Sequence, residues 1–250
     1  MSPSQNEKQL PHIGMNFRHS LLLALLICLI SSCAPTGLDE WGHRPGPKGF
    51  RTVILDAGHG GKDPGAVSRH TGQQEKYLTL DMAKRIRSEL GSDFRSILLR
   101  KDDTFIDLDD RVHLANRHGG AILLSLHFNS SAPSIRGPET YYWRVDSHGL
   151  AVRCQRAMQR ACPAESGNRG LVRRRLRLTR NPKIPCVLLE FGYLSHPQES
   201  RLCANPAYRQ QMASAIASAI RAQAQYGDSG TGPLPRPIYA PPSRPTDAPE

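Results

Sequence analysis

The chain has 250 residues, a formal net charge of +11 and a pI near 9.7. About 175 residues lie between a Pro/Gly-rich head and a Pro-rich tail, enough for one domain with a real core. They contain no internal repeat and no second folded module. The basic balance would point to nucleic acid in an intracellular protein. An export signal and the lack of an aromatic stacking motif argue against that, leaving attraction to anionic envelope polymers and lipid head groups.

In chain order, residues 1–14 are poor in apolar side chains, so Met15 is an alternative start. Met15-Asn16-Phe17-Arg18-His19-Ser20 gives a basic opening, and residues 21–30 form an apolar core too short to span a bilayer comfortably. Ile30-Ser31-Ser32-Cys33 then resembles a bacterial lipobox, which makes Cys33 the acylated lipid anchor and residues 1–32 a lipoprotein signal peptide. The competing reading is an ordinary signal peptide with a chance cysteine. Ala34, not Asp, follows Cys33 and favours an outer membrane if the cell has one. Residues 33–50 read as a Pro/Gly-rich tether. At the far end, residues 227–250 hold seven prolines with almost no apolar period and read as a disordered tail.

Between these lies a folded region, 51–226, in which strand and helix patterns alternate. Strands are expected near 51–56, 95–100, 121–127, 138–143, 175–179 and 186–191. Helices are expected at 74–90, 108–118, 148–161 and 206–225. The last has Asn205 as N-cap, Pro206 at its first position and a Met212, Ile216, Ile220 stripe. The alternation predicts a single α/β domain, with a mostly parallel or mixed central sheet and helices on both faces. Beyond Cys33, the cysteines Cys154, Cys162, Cys186 and Cys203 lack metal-ligand spacing and are expected to be mostly free thiols, with room for one pair.

Three of the apolar strands each deliver a titratable residue. Val53-Ile54-Leu55-Asp56-Ala57 runs into Gly58-His59-Gly60-Gly61, Ala121-Ile122-Leu123-Leu124-Ser125-Leu126 is followed by His127, and Cys186-Val187-Leu188-Leu189 leads to Glu190. Such positions lie at the C-terminal edge of an α/β sheet, where ligands bind. A fourth group, Glu75, precedes the Leu78, Met82, Ile86, Leu90 stripe on the same inward side of its helix. Each has a bland reading: a solvated histidine in a tight turn, or an acidic residue favoured at a helix N-terminus. Together, His59, Glu75 and His127 form a two-histidine, one-carboxylate set suited to catalytic zinc, with Glu190 left as general acid/base. The absence of HExxH means that the ligands come from distant segments, and Lys62-Asp63 excludes a nucleotide loop of the GK[ST] kind.

Several segments also carry a resemblance. Ile54-Leu55-Asp56-Ala57-Gly58-His59-Gly60-Gly61-Lys62-Asp63-Pro64-Gly65-Ala66 resembles the opening motif of the zinc-dependent N-acetylmuramoyl-L-alanine amidases of the amidase-3 family. Glu75 begins a segment similar to that family's second ligand motif. Arg111-Val112-His113-Leu114-Ala115-Asn116 and Ser125-Leu126-His127-Phe128-Asn129 are similar to its next two motifs. Gly137-Pro138-Glu139-Thr140-Tyr141-Tyr142, Asn168-Arg169-Gly170-Leu171 and Pro185-Cys186-Val187-Leu188-Leu189-Glu190-Phe191-Gly192-Tyr193-Leu194-Ser195 follow in order. The likeness covers about residues 51–222. It implies that His59, Glu75 and His127 bind Zn2+, that Glu190 is catalytic, and that the substrate is peptidoglycan.

Three departures concern substrate preference. They are Phe128 where a small residue is usual, Cys186 where alanine is common, and the unusually basic run Arg173-Arg174-Arg175-Leu176-Arg177. Asn129 is a candidate substrate-binding residue, and an equally good turn-stabilising one. The expected protein is a lipid-anchored, monomeric peptidoglycan amidase on the periplasmic side of the envelope, with no nucleic-acid partner. A zinc peptidase of stem peptides and a non-catalytic peptidoglycan-binding lipoprotein are the alternatives.

Overall fold

The computed structural model describes residue 42 and residues 44–236. The expected signal peptide with Cys33, most of the tether, and residues 237–250 lie outside the described residues. No helix among the described residues is long and apolar enough to cross a membrane.

Six strands form one mixed sheet in the order β2-β1-β3-β6-β4-β5. They are β1 (Thr52–Ala57), β2 (Arg95–Leu98), β3 (Ala121–Asn129), β4 (Glu139–Tyr142), β5 (Gly170–Arg173) and β6 (Cys186–Tyr193). All neighbours pair in parallel except β4 with β6. The helices are α1 (Glu75–Leu90), α2 (Leu108–Asn116), α3 (His148–Ala161), the single turn α4 (Arg177–Arg180), α5 (Pro197–Ala204) and α6 (Pro206–Tyr226). Strand alternation divides the core. Val53, Leu55, Leu124, Val187 and Leu189 face the larger layer with Met82 and Ile86 of α1, Leu150 and Met158 of α3, and Ile216 and Ile220 of α6. Ile54, Leu123 and Cys186 face the thinner layer with Ala115 of α2 and Leu178 of α4. The expected α/β sandwich with helices on both faces is what forms. Phe128 and Cys186 both point into core, Phe128 stacking 5.5 Å from Phe191. Cys154, Cys162, Cys186 and Cys203 are all free thiols.

The elements depart from the sequence expectation in three places. The strand expected near 175–179 lies earlier, at Gly170–Arg173, and the Arg/Leu alternation that imitated a strand enters α4 instead. Thr179 explains the change. Its hydroxyl donates to Arg174 O at 2.7 Å and accepts from Leu176 N at 3.1 Å, giving the backbone local partners that replace a ladder. A helix that the apolar period did not reveal, α5, starts at Pro197 with the His196 ring accepting from Gln198 N. The tail is the third correction, because its first residues are not disordered. Asp228 accepts from Gly46 N at 2.7 Å, Arg153 donates to Gly227 O and Ser229 O, and Thr231 is buried. The end of the tether is docked on the same patch, with Pro47 O accepting from Gln223.

Candidate active site

Beyond β1 the chain reverses through Gly58-His59-Gly60-Gly61. His59 itself adopts a left-handed backbone (φ 61°), a conformation that costs a non-glycine residue about 1 kcal/mol or more and needs its surroundings to hold it. Two buried arginines do so. Arg111 of α2 donates to Ala57 O at 2.8 Å and to His59 O at 2.7 Å, and Arg100 donates to Ala57 O and Gly58 O, each at 2.9 Å. Asp63 meets the His59 ring at Nδ1 (2.5 Å), which turns Nε2 toward Glu75 at 3.0 Å.

The α1 N-terminus is placed by Glu75 N donating to Ala66 O and Lys76 N donating to Pro64 O. Glu75 is 4% exposed, and its carboxylate is turned into the molecule rather than capping its own helix. Oε2 accepts from Ala66 N, while Oε1 accepts from Phe128 N and lies 3.0 Å from both His59 Nε2 and His127 Nδ1. The crowding explains two glycines. A Cβ on Gly58 would stand 2.2 Å from the His127 ring, and one on Gly65 would stand 2.6 Å from His59 and 2.7 Å from Glu75.

His127 projects from β3 on the thinner side of the sheet. Its Nε2 is 3.2 Å from Ser125 Oγ, Ser125 donates to Asp56 at 2.7 Å, and Asp56 is held by Arg111 at 2.5 Å. Burial opposes the Asp56 charge, but Arg111 and Ser125 outweigh it and hold the carboxyl below its ordinary range. This buried file fixes the ring from behind and leaves Nδ1 facing the site, the outer-shell arrangement usual for a ligating histidine. Asp56 and Ser125 were legible only as polar interruptions of apolar strands, and Arg100 carried no signal.

One donor atom each from His59, Glu75 and His127 lies within 4.8 Å of the other two. Two imidazole nitrogens and one carboxylate oxygen fit a zinc ion with a position left open. Burial alone would lower the His59 pKa, but Glu75 and Asp63 outweigh it and raise it to about 9. Glu75, although buried, is held well below the ordinary carboxylate range by the two histidines. A carboxylate between two imidazoles is an arrangement that a cation relieves.

Glu190 stands beside this group. It is the register partner of His127 across β3–β6, 8% exposed, with Oε2 unsatisfied among the described residues. Burial above all, then the charges of Glu75 and Glu139, push its carboxyl well above the ordinary value. Glu139, given no role by the sequence reading, is its partner across β4–β6 and accepts from Tyr141 at 2.7 Å and Tyr193 at 2.9 Å. Asn129 is engaged at both ends, accepting from Ser130 N at 2.8 Å and donating to Tyr193 at 3.3 Å. A cavity of about 180 Å³ opens from His59 and His127, walled by Leu108, Leu176, Leu178 and Leu188.

Residues 53–222 match the family model described as N-acetylmuramoyl-L-alanine amidase. The chain belongs to that family. It is 33% identical over 175 residues to the probable cell wall amidase LytH of Staphylococcus saprophyticus, covering 69% of this chain and 58% of that one. With the N-acetylmuramoyl-L-alanine amidase AmiA of Escherichia coli it shares 30% identity over 223 residues, covering 69% of this chain and 75% of AmiA. In structure it is similar to an N-acetylmuramoyl-L-alanine amidase from Clostridium difficile 630, with a TM-score of 0.66 and 31% identity, covering 70% of this chain and 97% of the other. In this chain His59, Glu75 and His127 lie in one small volume, with Glu190 the register partner of His127.

Proposed function

We propose that this protein is a zinc-dependent peptidoglycan amidase that hydrolyses the amide joining the lactyl group of N-acetylmuramic acid to L-alanine of the stem peptide. The convergence of His59, Glu75 and His127 beside the buried, unsatisfied Glu190 carries this reading. Those three residues hold the metal, and Glu190 is the catalytic acid/base. A zinc ion in this donor set supplies Lewis-acid polarisation of the amide carbonyl and lowers the pKa of water. Glu190 takes the proton of the attacking water and returns it to the leaving alanine amine. Its raised pKa suits the second step, because a carboxyl that holds its proton is the better donor. Asn129, at the end of β3, borders the substrate through its contact with Tyr193.

The same reading gives the protein an envelope location. Cys33 carries the lipid, the chain between it and the domain limits reach, and the domain works as a monomer. Analysis of digested cell walls tests the assignment. An amidase releases free stem peptide and unsubstituted glycan, and a chelator stops it. A stem-peptide zinc peptidase leaves the lactyl amide intact, and a binding protein releases neither product.

A further inference from the structure

The segment after β5 is unlike the rest of the site wall. Arg173, Arg174, Arg175 and Arg177 fall within five residues, yet Leu176 between them and Leu178 beyond line the cavity next to His59 and His127. The basic run therefore flanks the cavity, which its leucines help to wall.

Two guanidinium groups near it are seated on tyrosines. Arg174 Cζ lies 6.0 Å from the centre of the Tyr141 ring, and Arg169 Cζ lies 5.7 Å from that of Tyr193. Both tyrosines donate to Glu139, the register partner of Glu190. Tyr141 is in turn the partner of Leu188, two residues before Glu190 on the same face. One strand spacing and two residues along a strand place Tyr141 about 8 Å from Glu190. A guanidinium held over a ring gains cation–π attraction without spending its N–H donors, which stay available for two-point recognition of a carboxylate. Arg174 is exposed and makes no ion pair among the described residues. Arg169 touches Glu139 through Nε alone at 3.6 Å and is 38% exposed.

A stem peptide running from the scissile bond advances about 3.5 Å per residue, so its second residue arrives some 7 Å away. The two guanidinium groups lie beyond the tyrosines that bond Glu139, on the side of the sheet where Glu139 and Glu190 stand opposite one another. We infer that Arg174 and Arg169 recognise a free carboxylate on the second residue of the stem peptide, making the protein selective for acidic over amidated stems. The inference rests on the amidase reading and names the substrate class within it.

The test uses zinc-loaded protein and two synthetic muramoyl peptides that differ only in the second residue, a free α-carboxylate in one and a carboxamide in the other. Cleavage of both is followed, and binding of the two corresponding free peptides is measured by calorimetry. The carboxylate form should be favoured about tenfold or more, the worth of a charge-assisted hydrogen bond. Arg174→Ala should bring it down to the level of the carboxamide, with the loss in KM and in peptide affinity. Arg169→Ala should do the same in binding. Cleavage without discrimination in the wild type, or discrimination that survives Arg174→Ala, overturns the inference. So does an Arg174→Ala variant that loses binding to anionic phospholipid vesicles while keeping its peptide preference. Peptide discrimination without cleavage supports the recognition and instead overturns the amidase reading.

Discussion

Glu139 and Glu190 stand opposite one another across the antiparallel β4–β6 pair, two buried carboxyl groups on one side of the sheet. Burial first, and then the charges of Glu75 and Glu139, raise the Glu190 pKa. As the proposed general base Glu190 must be ionised, so activity should be present above the raised pKa and lost as pH falls through it. Glu139→Gln removes one like charge and should move the acid limb of kcat/KM to lower pH. A limb that stays in place would show that Glu139 does not act on Glu190 through its charge.

Glu190→Gln keeps size and shape but cannot accept a proton. It should retain one zinc per chain and an unchanged thermal midpoint, while losing about 10² to 10⁴ in rate. Turnover near that of the wild type would remove Glu190 from the mechanism.

His59→Ala and His127→Ala should each abolish stoichiometric zinc by metal analysis. In the metal-free protein the His59 pKa stands at about 9, so at pH 7 the ring carries a proton that a metal ligand must give up. Zinc uptake at pH 7 should therefore release protons, and affinity should climb as pH rises toward 9. Calorimetry in buffers of different ionisation enthalpy reads this directly. Zero release would contradict the ligand role of His59.

The file Arg111–Asp56–Ser125–His127 separates positioning from folding. Ser125→Ala should leave the domain folded and weaken zinc affinity about 10- to 100-fold by freeing the His127 ring. Asp56→Ala, which strands the 2%-exposed Arg111, should cost about 3–5 kcal/mol in denaturant unfolding. If Ser125→Ala binds zinc as tightly as the wild type, the ring is oriented by other contacts.

Truncation divides the tail. Ending the chain after residue 236 should leave the thermal midpoint unchanged. Ending it after residue 226 removes the Gly227 and Ser229 carbonyl acceptors of Arg153 and the Asp228 contact with Gly46, and should cost about 1–3 kcal/mol. Equal midpoints for the two proteins would show that the docked residues contribute no stability.

Much of this protein is determined by the sequence alone, because local physics sets it. Apolar runs long enough for buried strands deliver His127 and Glu190, a glycine turn presents His59, and a 3.6-residue stripe puts Glu75 on the inward side of α1. Period and residue type suffice for those four positions. Only the tertiary structure decided how they are held. Arg100 and Arg111 reach back 42 to 54 residues to carbonyls of the His59 turn, and Glu139 meets Glu190 through an antiparallel pairing within an otherwise parallel sheet. The basic run shows the limit most clearly. Its alternation reads as a strand, and it becomes a helical turn because Thr179 supplies local hydrogen bonds while Leu176 and Leu178 find apolar neighbours beside the cavity. Pairing at a distance follows from which faces the chain buries together, and residue spacing along one segment carries no record of it.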